Sequence, residues 1–162
     1  MFTHKVDKEE AAAFSRFLGI PLASAEVLDG TDRPSYLTAC GGCCSVFLDP
    51  DTGVRISQTN RTPSPQRFLF GEEVVKIAKQ RPKRGLVLTF DQSLARGREE
   101  DEIKKKLAHF KRQGVAGFAY VSHASFMVLG RSRDVVSEAK AKLISKSGLP
   151  QHRLVEQAAR RA

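Results

Sequence analysis

The three cysteines of the chain lie within five consecutive positions and are its most reactive side chains. Cys40 and Cys43 flank a pair of glycines, and Cys44 follows directly. If this Cys-x-x-Cys pair begins a helix, the helix dipole lowers a thiol pKa, as in thiol oxidoreductases. Such enzymes need a further strand with a cis-proline, and only about twenty residues separate Cys43 from Pro63, which is too few. The opposing interpretation makes Cys43 and Cys44 small buried helix residues and leaves Cys40 exposed at a turn.

Other catalytic and metal-binding patterns are weak. A structural zinc site takes four ligands, commonly from two Cys-x-x-Cys pairs or from one pair and two histidines. The sequence has no second pair, and its histidines are scattered at His4, His109, His123 and His152. It also has neither a Ser-His-Asp set nor a Gly-x-x-x-x-Gly-Lys phosphate loop. We therefore expect no metal, no cofactor and no enzymatic activity, and keep the thiol oxidoreductase as the least favoured alternative.

The charge of the chain favours a polyanionic partner. Lysine and arginine number 27 against 18 aspartates and glutamates, which gives a net charge of +9. Such an excess is typical of nucleic-acid-binding proteins, although it also serves solubility. The sequence has no long apolar run, so we expect no membrane partner. An odd number of clustered cysteines suits a reducing compartment, and we expect a cytoplasmic protein.

The periodicity of apolar residues predicts two similar runs of strands and helices. The strands GVRISQ and RFLF precede the helix EEVVKIAKQ. The strand GLVLTFD then precedes a helix with Ile103, Leu107 and Phe110 on one side, the hairpin GFAYVS and SFMVLG, and a helix ended by Gly148. The segments RFLFGEEVVKIAK and SFMVLGRSRDVVSEAK share a strand, a glycine, Val-Val and Ala-Lys, so we interpret the chain as a tandem repeat.

The first run resembles a type I KH domain. Gly42 is followed by nine residues and then by Thr52, Gly53, Val54, Arg55 and Ile56, which is similar to the spacing from the family's Gly-x-x-Gly loop, through a helix, to its second strand. Ala39 replaces the first loop glycine, and the second run has no such loop. Tandem KH-like units, one without the loop, are similar to the Bicaudal-C family of post-transcriptional regulators.

The resemblance implies a single-stranded RNA-binding site in the first unit. The loop would approach the sugar-phosphate backbone, the second strand would form the wall for bases, and basic residues of the variable loop would reach phosphate. The residues implied are Ala39, Cys40, Gly41, Gly42, Val54, Arg55, Ile56, Arg61 and Arg67. The alternative is a KH-like scaffold that binds a protein partner, in particular through the second unit, and has lost RNA binding. A stacking platform is disfavoured, because the chain has no tryptophan and only two tyrosines.

These observations predict an α+β protein of two tandem KH-like units, each a three-stranded sheet packed on helices. We expect an N-terminal helix in residues 1–24, the first unit in 25–82, the second unit in 83–148 and a basic C-terminal helix in 149–162.

Overall fold

The computed structural model describes Arg16 and residues 33–39, 44–56, 64, 67–122 and 125–158. The chain divides into two compact units, Met1–Cys43 and Cys44–Ala162. In the first unit, Arg16 is helical and exposed, and helix α1 spans Arg33–Ala39. The Thr38 hydroxyl donates a hydrogen bond of 2.8 Å to the Pro34 carbonyl within α1.

The second unit is a mixed α+β fold, as the sequence predicts. Its elements in chain order are β1 Val46–Leu48, β2 Gly53–Arg55, β3 Phe68–Phe70, α2 Gly71–Gln80, β4 Leu86–Asp91, α3 Glu99–Arg112, β5 Ala116–Tyr120, β6 Ser125–Gly130, α4 Arg133–Ser147, a short 3₁₀ helix Gln151–Arg153, and β7 Leu154–Glu156.

Five of the strands form one sheet in the order β1-β4-β6-β5-β7. β1 is parallel to β4, and the other neighbours are antiparallel. β2 and β3 form a separate parallel pair. β4 and β5 flank β6 and are joined by α3, which is a split β-α-β arrangement.

Right-handed crossover connections place α3 and α4 on opposite faces of the five-stranded sheet. α3 connects β4 to β5, and α4 connects β6 to β7, so both helices cross the sheet from the β1 edge toward the β7 edge. The strands β6 and β7, however, run antiparallel to β4 and β5. A Cβ on Gly117 would therefore lie 3.5 Å from Leu107 of α3. A Cβ on Gly130, which faces the other side, would lie 3.1 Å from Val136 of α4.

The core lies between the sheet and helices α2 and α3. Ile103, Leu107 and Phe110 are all buried, which confirms the apolar stripe expected from their spacing. They face a sheet surface on which Val87, Met127 and Leu129 are buried. α2 contributes the buried residues Val74, Val75 and Ala78, as its pattern predicts.

Local signals fix the ends of the helices. α2 begins after Phe70, whose backbone N–H donates a 2.7 Å hydrogen bond to the Glu73 carboxylate. α4 begins after Ser132, whose hydroxyl accepts a hydrogen bond from the Val135 N–H. It ends at Gly148, whose φ of 63° lies in the left-handed region, so Gly148 ends the helix as predicted.

The structure corrects three expectations about the arrangement of the elements. The helix implied after Gly42 is wrong over Val46–Leu48, which is a strand because Leu48 and Val46 pair with β4. That pairing joins a segment assigned to the first KH-like unit with one assigned to the second. Among the described strands, β2 and β3 form a two-stranded pair instead of a three-stranded sheet. The predicted C-terminal helix is wrong over Leu154–Glu156, which extends the sheet beside β5.

The similar segments of the two runs also have different surroundings. β3 pairs only with β2 among the described strands, and it does so in parallel. β6, its counterpart in the repeat, has antiparallel neighbours on both sides. The shared strand-glycine-helix pattern therefore encodes neither the same sheet position nor the same junction, because α2 begins at Gly71 itself and α4 begins three residues after Gly130.

Candidate functional site

Five of the nine predicted RNA-binding residues lie in the described part of the chain: Ala39, Val54, Arg55, Ile56 and Arg67. Ala39 is the last residue of α1. Cys40, Gly41, Gly42 and Arg61 lie outside the described residues, so the predicted backbone turn stays a prediction.

The wall for bases predicted from Val54, Arg55 and Ile56 corresponds to β2 and the residue after it. Val54 is 0 % exposed, so its side chain offers no accessible surface in this structure. Arg55 is half-buried, and its guanidinium carbon lies 4.1 Å above the Phe68 ring centroid, which is a cation–π contact. Ile56 is half-buried as well. β2 packs inward because both Gly53 and Val54 meet the end of β4.

Arg67 is exposed, as a phosphate-binding residue must be, but it already has an anionic partner. Its guanidinium forms an ion pair with the Asp51 carboxylate, and both side chains are substantially exposed. An exposed pair of this kind contributes little stability and is screened by salt. Arg67 would have to exchange Asp51 for a phosphate before it could bind RNA.

A buried ion pair between β4 and α3 is the best-defined polar cluster among the described residues. Lys106 Nζ lies 2.6 Å from Asp91 Oδ2 and 2.9 Å from Ser93 Oγ. Asp91 Oδ1 accepts hydrogen bonds from the backbone N–H groups of Val54 and Ser93 at 3.2 and 3.0 Å. It also lies 2.7 Å from Ser93 Oγ. We call Asp91, Ser93 and Lys106 the Asp91 cluster.

The Asp91 cluster fastens the start of β2 to the end of β4. The backbone N–H of Gln92 donates to the Thr52 carbonyl at 3.2 Å, and Asp91 holds the Val54 N–H. Gly53 between them has a φ of 133°, which side-chain-bearing residues rarely adopt. A Cβ at this position would also overlap Asp91 Oδ1. The glycine is therefore required by both the backbone angle and the close approach of the carboxylate.

The geometry of the Asp91 cluster indicates a structural role. A Ser–Lys pair at hydrogen-bond distance becomes a nucleophile when the lysine accepts the serine proton. Here the Lys106 ammonium donates to a carboxylate as well as to Ser93. Asp91 and Lys106 are 1 % and 7 % exposed, so neither is open to a substrate. The cluster holds the loop after β4 in position and is not a reaction centre.

The Asp91 cluster is hard to identify from sequence because Lys106 follows the exposed lysines Lys104 and Lys105. Lys106 lies three residues after Ile103 and next to Leu107, so it falls on the apolar side of α3. A lysine on the buried side of an amphipathic helix needs a buried anion. That position was the signal that could have identified the ion pair.

His109 of α3 is half-buried but has one buried ring nitrogen. Its Nε2 atom is inaccessible and has no hydrogen-bond partner among the described residues. Burial lowers the pKa of His109, the Arg112 charge lowers it further, and Glu72 partly opposes both. Its ring packs edge-on against Phe110. These contacts indicate a structural role for His109.

Aromatic side chains gather on the sheet face that carries α4. The register pairs Phe47 with Leu88, and Phe90 and Tyr120 each with Phe126, so all of them point to the same side. The Phe90 and Phe126 ring centroids lie 5.1 Å apart at an angle of 42°. Phe47 is 44 % exposed. We call Phe47, Phe90, Tyr120 and Phe126 the aromatic face.

The aromatic face was missed because tryptophan and tyrosine alone were considered for base stacking. The chain has ten phenylalanines, whose rings are equally suited to stacking when they are accessible. Phe90 and Phe126 are half-buried and Phe47 is exposed. Strand alternation predicts that Phe90 points away from Val87 and Asp91, but only the sheet order shows that Phe126 and Phe47 share its side.

Thiol and metal chemistry gain no support from the described residues. Cys44 is exposed, which corrects its assignment as a buried helix residue, and it has no disulfide partner in the described part of the chain. Cys40 and Cys43 lie outside that part. Within it, no three His, Cys, Asp or Glu side chains are placed to hold a metal ion. No described helix has the length and apolar character to span a membrane.

Comparison with the models of protein families, with curated proteins and with solved structures gives no match for this chain. The resemblance to KH domains is therefore neither supported nor contradicted by a relative. The function has to be argued from the surface of the protein.

Proposed function

We propose that this protein binds single-stranded RNA through the aromatic face of its five-stranded sheet. The observation that carries the proposal is the alignment of Phe47, Phe90 and Phe126 on one side of the sheet, with Phe47 exposed. Phe47 belongs to the segment 25–82, whereas Phe90 and Phe126 belong to 83–148, so the proposed surface draws on both segments. The buried Val54 contributes nothing to it.

Base stacking gives the aromatic face a physical reason to bind an unpaired strand. Every base has a π-face, and stacking on an aromatic side chain contributes about 1–3 kcal/mol per base. Bases in a duplex are stacked on each other and do not offer these faces. The net charge of +9 adds attraction to phosphate that is independent of sequence. The proposed activity is therefore tolerant of base sequence and sensitive to salt.

The test compares a ring with an aliphatic side chain of similar bulk at the same position. Phe47→Leu and the double variant Phe47→Leu/Phe126→Leu keep the surface apolar but remove stacking. Binding of a fluorescein-labelled, random-sequence RNA oligomer is measured by anisotropy at low salt. Each lost stack should weaken binding by about 5- to 150-fold, which corresponds to about 1–3 kcal/mol.

Ile144→Ala is the matched control, because Ile144 is a half-buried apolar residue of α4 outside the aromatic face. It should bind RNA with the affinity of the wild type. Absence of saturable binding by the wild type would refute the proposed function. Equal affinity of the wild type and the double leucine variant would refute the aromatic face as the binding surface.

A second candidate function is protein binding, which the position of Phe47 favours. In the described part of the sheet, β1 is an edge strand, and an extended peptide can add to such an edge. An exposed phenylalanine on an edge strand is a typical anchor for such a peptide. If this function is correct, a photocrosslinking side chain at position 47 should give one discrete protein adduct in cell extract. The same group at the exposed Ala108 should give no adduct, and the RNA oligomer should show no binding in the anisotropy assay.

A further inference from the structure

Positive charge collects at one end of the five-stranded sheet. β4 begins where β6 ends, because Leu86 pairs with Gly130. The turns before β4 and after β6 therefore lie side by side, and the Arg131 guanidinium donates a 3.3 Å hydrogen bond to the Arg81 carbonyl between them. These turns and the start of α4 carry four exposed cations, which we call the basic end: Lys83, Arg84, Arg131 and Arg133. They outnumber the one acid in the first turn of α4, Asp134.

The opposite end of the sheet is acidic. α3 begins with Glu99, Glu100, Asp101 and Glu102, and the first three line a crevice with Gly97, Arg98, Val121 and Ser122. These four acids outnumber the exposed Arg96 and Arg98 that precede them. Val121 and Ser122 directly follow β5, which runs parallel to β4 because both strands are antiparallel to β6. The acids therefore lie beyond the ends of β4 and β5, one strand length away from the basic end. The acids at this helix start complement the helix dipole and repel phosphate.

We infer that the phosphates of the RNA lie along the basic end and that Glu138 of α4 competes with them for Arg84. The inference rests on the proposed function and adds an orientation to it. The sugar-phosphate backbone crosses the strands at the basic end, and the bases point along the sheet toward the aromatic face. The opposite orientation would bring phosphates to the glutamates of α3.

Glu138 is placed to occupy the basic end when no RNA is bound. Its carboxylate lies 2.7 Å from Lys142 Nζ and 3.4 Å from Arg84 Nη2. The hydrogen bond from Lys142 and the charges of Lys142 and Arg84 lower the pKa of Glu138, so it remains an anion at neutral pH. The Arg84 contact is long and exposed, so a phosphate can displace it.

The experiment compares two glutamates that have equivalent ion pairs at opposite ends of the sheet. Glu138 pairs with Lys142 at 2.7 Å and Glu100 pairs with Lys104 at 2.6 Å, both four residues apart on a helix. Glu138→Gln and Glu100→Gln change the net charge by the same amount. RNA affinity is measured by anisotropy over a series of salt concentrations.

Glu138→Gln should tighten binding by about 2- to 5-fold and steepen the salt dependence, by about 0.7 in slope for each cation released to phosphate. Glu100→Gln should leave both quantities close to the wild type. Arg84→Gln should weaken binding and reduce the slope by about 0.7. In the Arg84→Gln background, Glu138→Gln should lose most of its effect, because the two residues act through one contact. Far-UV circular dichroism and the unfolding midpoint of each variant show that the fold is retained.

The outcomes separate this inference from the proposed function. Equal effects of Glu138→Gln and Glu100→Gln would overturn it, since only the total charge would then matter. An unchanged salt slope in Arg84→Gln would also overturn it. In both cases the proposed function still holds if the wild type binds RNA and the Phe47→Leu/Phe126→Leu variant does not. Absence of RNA binding by the wild type removes both.

Discussion

Replacement of Lys106 by methionine tests the buried ion pair that joins α3 to β4. Methionine keeps the length and apolar stem of the side chain but removes the ammonium. Asp91 then remains as an uncompensated carboxylate in the core, and removal of one partner of a buried ion pair costs about 3–5 kcal/mol. Asp91 Oδ1 keeps its contacts with the Val54 N–H, the Ser93 N–H and the Ser93 hydroxyl, so we expect the lower end, about 3 kcal/mol.

The measurement is urea unfolding followed by far-UV circular dichroism, with the free energy of unfolding taken by linear extrapolation. Lys105→Met is the matched control, because Lys105 is the exposed neighbour of Lys106 on the same helix. Lys105→Met should change the free energy of unfolding by no more than about 0.5 kcal/mol. Addition of Asp91→Asn to Lys106→Met should recover part of the stability, since a neutral amide costs less to bury than a carboxylate. Similar losses for Lys105→Met and Lys106→Met would refute the account of the Asp91 cluster.

Two further predictions concern pH and backbone strain. The pKa of His109 is lowered from its ordinary value of 6.5 in the folded state, so the unfolded chain binds more protons as the pH falls through 6.5. The free energy of unfolding should therefore decrease below pH 6.5, and His109→Phe should flatten this dependence in urea titrations at several pH values; an identical pH profile would contradict the burial of His109. Gly53→Ala should lower the free energy of unfolding by more than about 1 kcal/mol, because of its positive φ and the overlap with Asp91. Thermal unfolding of Gly53→Ala beside the exposed control Gln92→Ala checks this, and a melting temperature equal to that of the wild type would contradict it.

The part of the fold that sequence predicted correctly is the part with local signals. Ile103, Leu107 and Phe110 mark α3 by their spacing, and Gly148 marks the end of α4. The hairpin strands β5 and β6 are long enough to show a pattern, and their partners are close in sequence. Each of these features is decided by residues within a few positions of one another.

The missed strands depend on distant partners. β1 and β7 have three residues each, which is too short for a periodic signal. β1 pairs with β4 about forty residues later in the chain, a separation over which sequence patterns carry no register. The aromatic face has the same origin, since Phe47, Phe90 and Phe126 meet only once the strand order is known. The resemblance to KH domains predicts a helix at β1 from glycine spacing, whereas Val46 and Phe47 are residue types that favour strands.

The weak attachment of α4 to the sheet allows this helix to detach before the rest of the domain unfolds. Of the fifteen residues of α4, only Val136 is buried, and the ion pair from Lys140 to Glu156 is partly exposed. The helix is thus attached by far fewer apolar contacts than α3, so its detachment costs less free energy than global unfolding. Amide protons of α4 should exchange with solvent ahead of those of β4 and β6. Transient detachment would uncover Phe118 and extend the accessible aromatic surface toward β5 without melting the core.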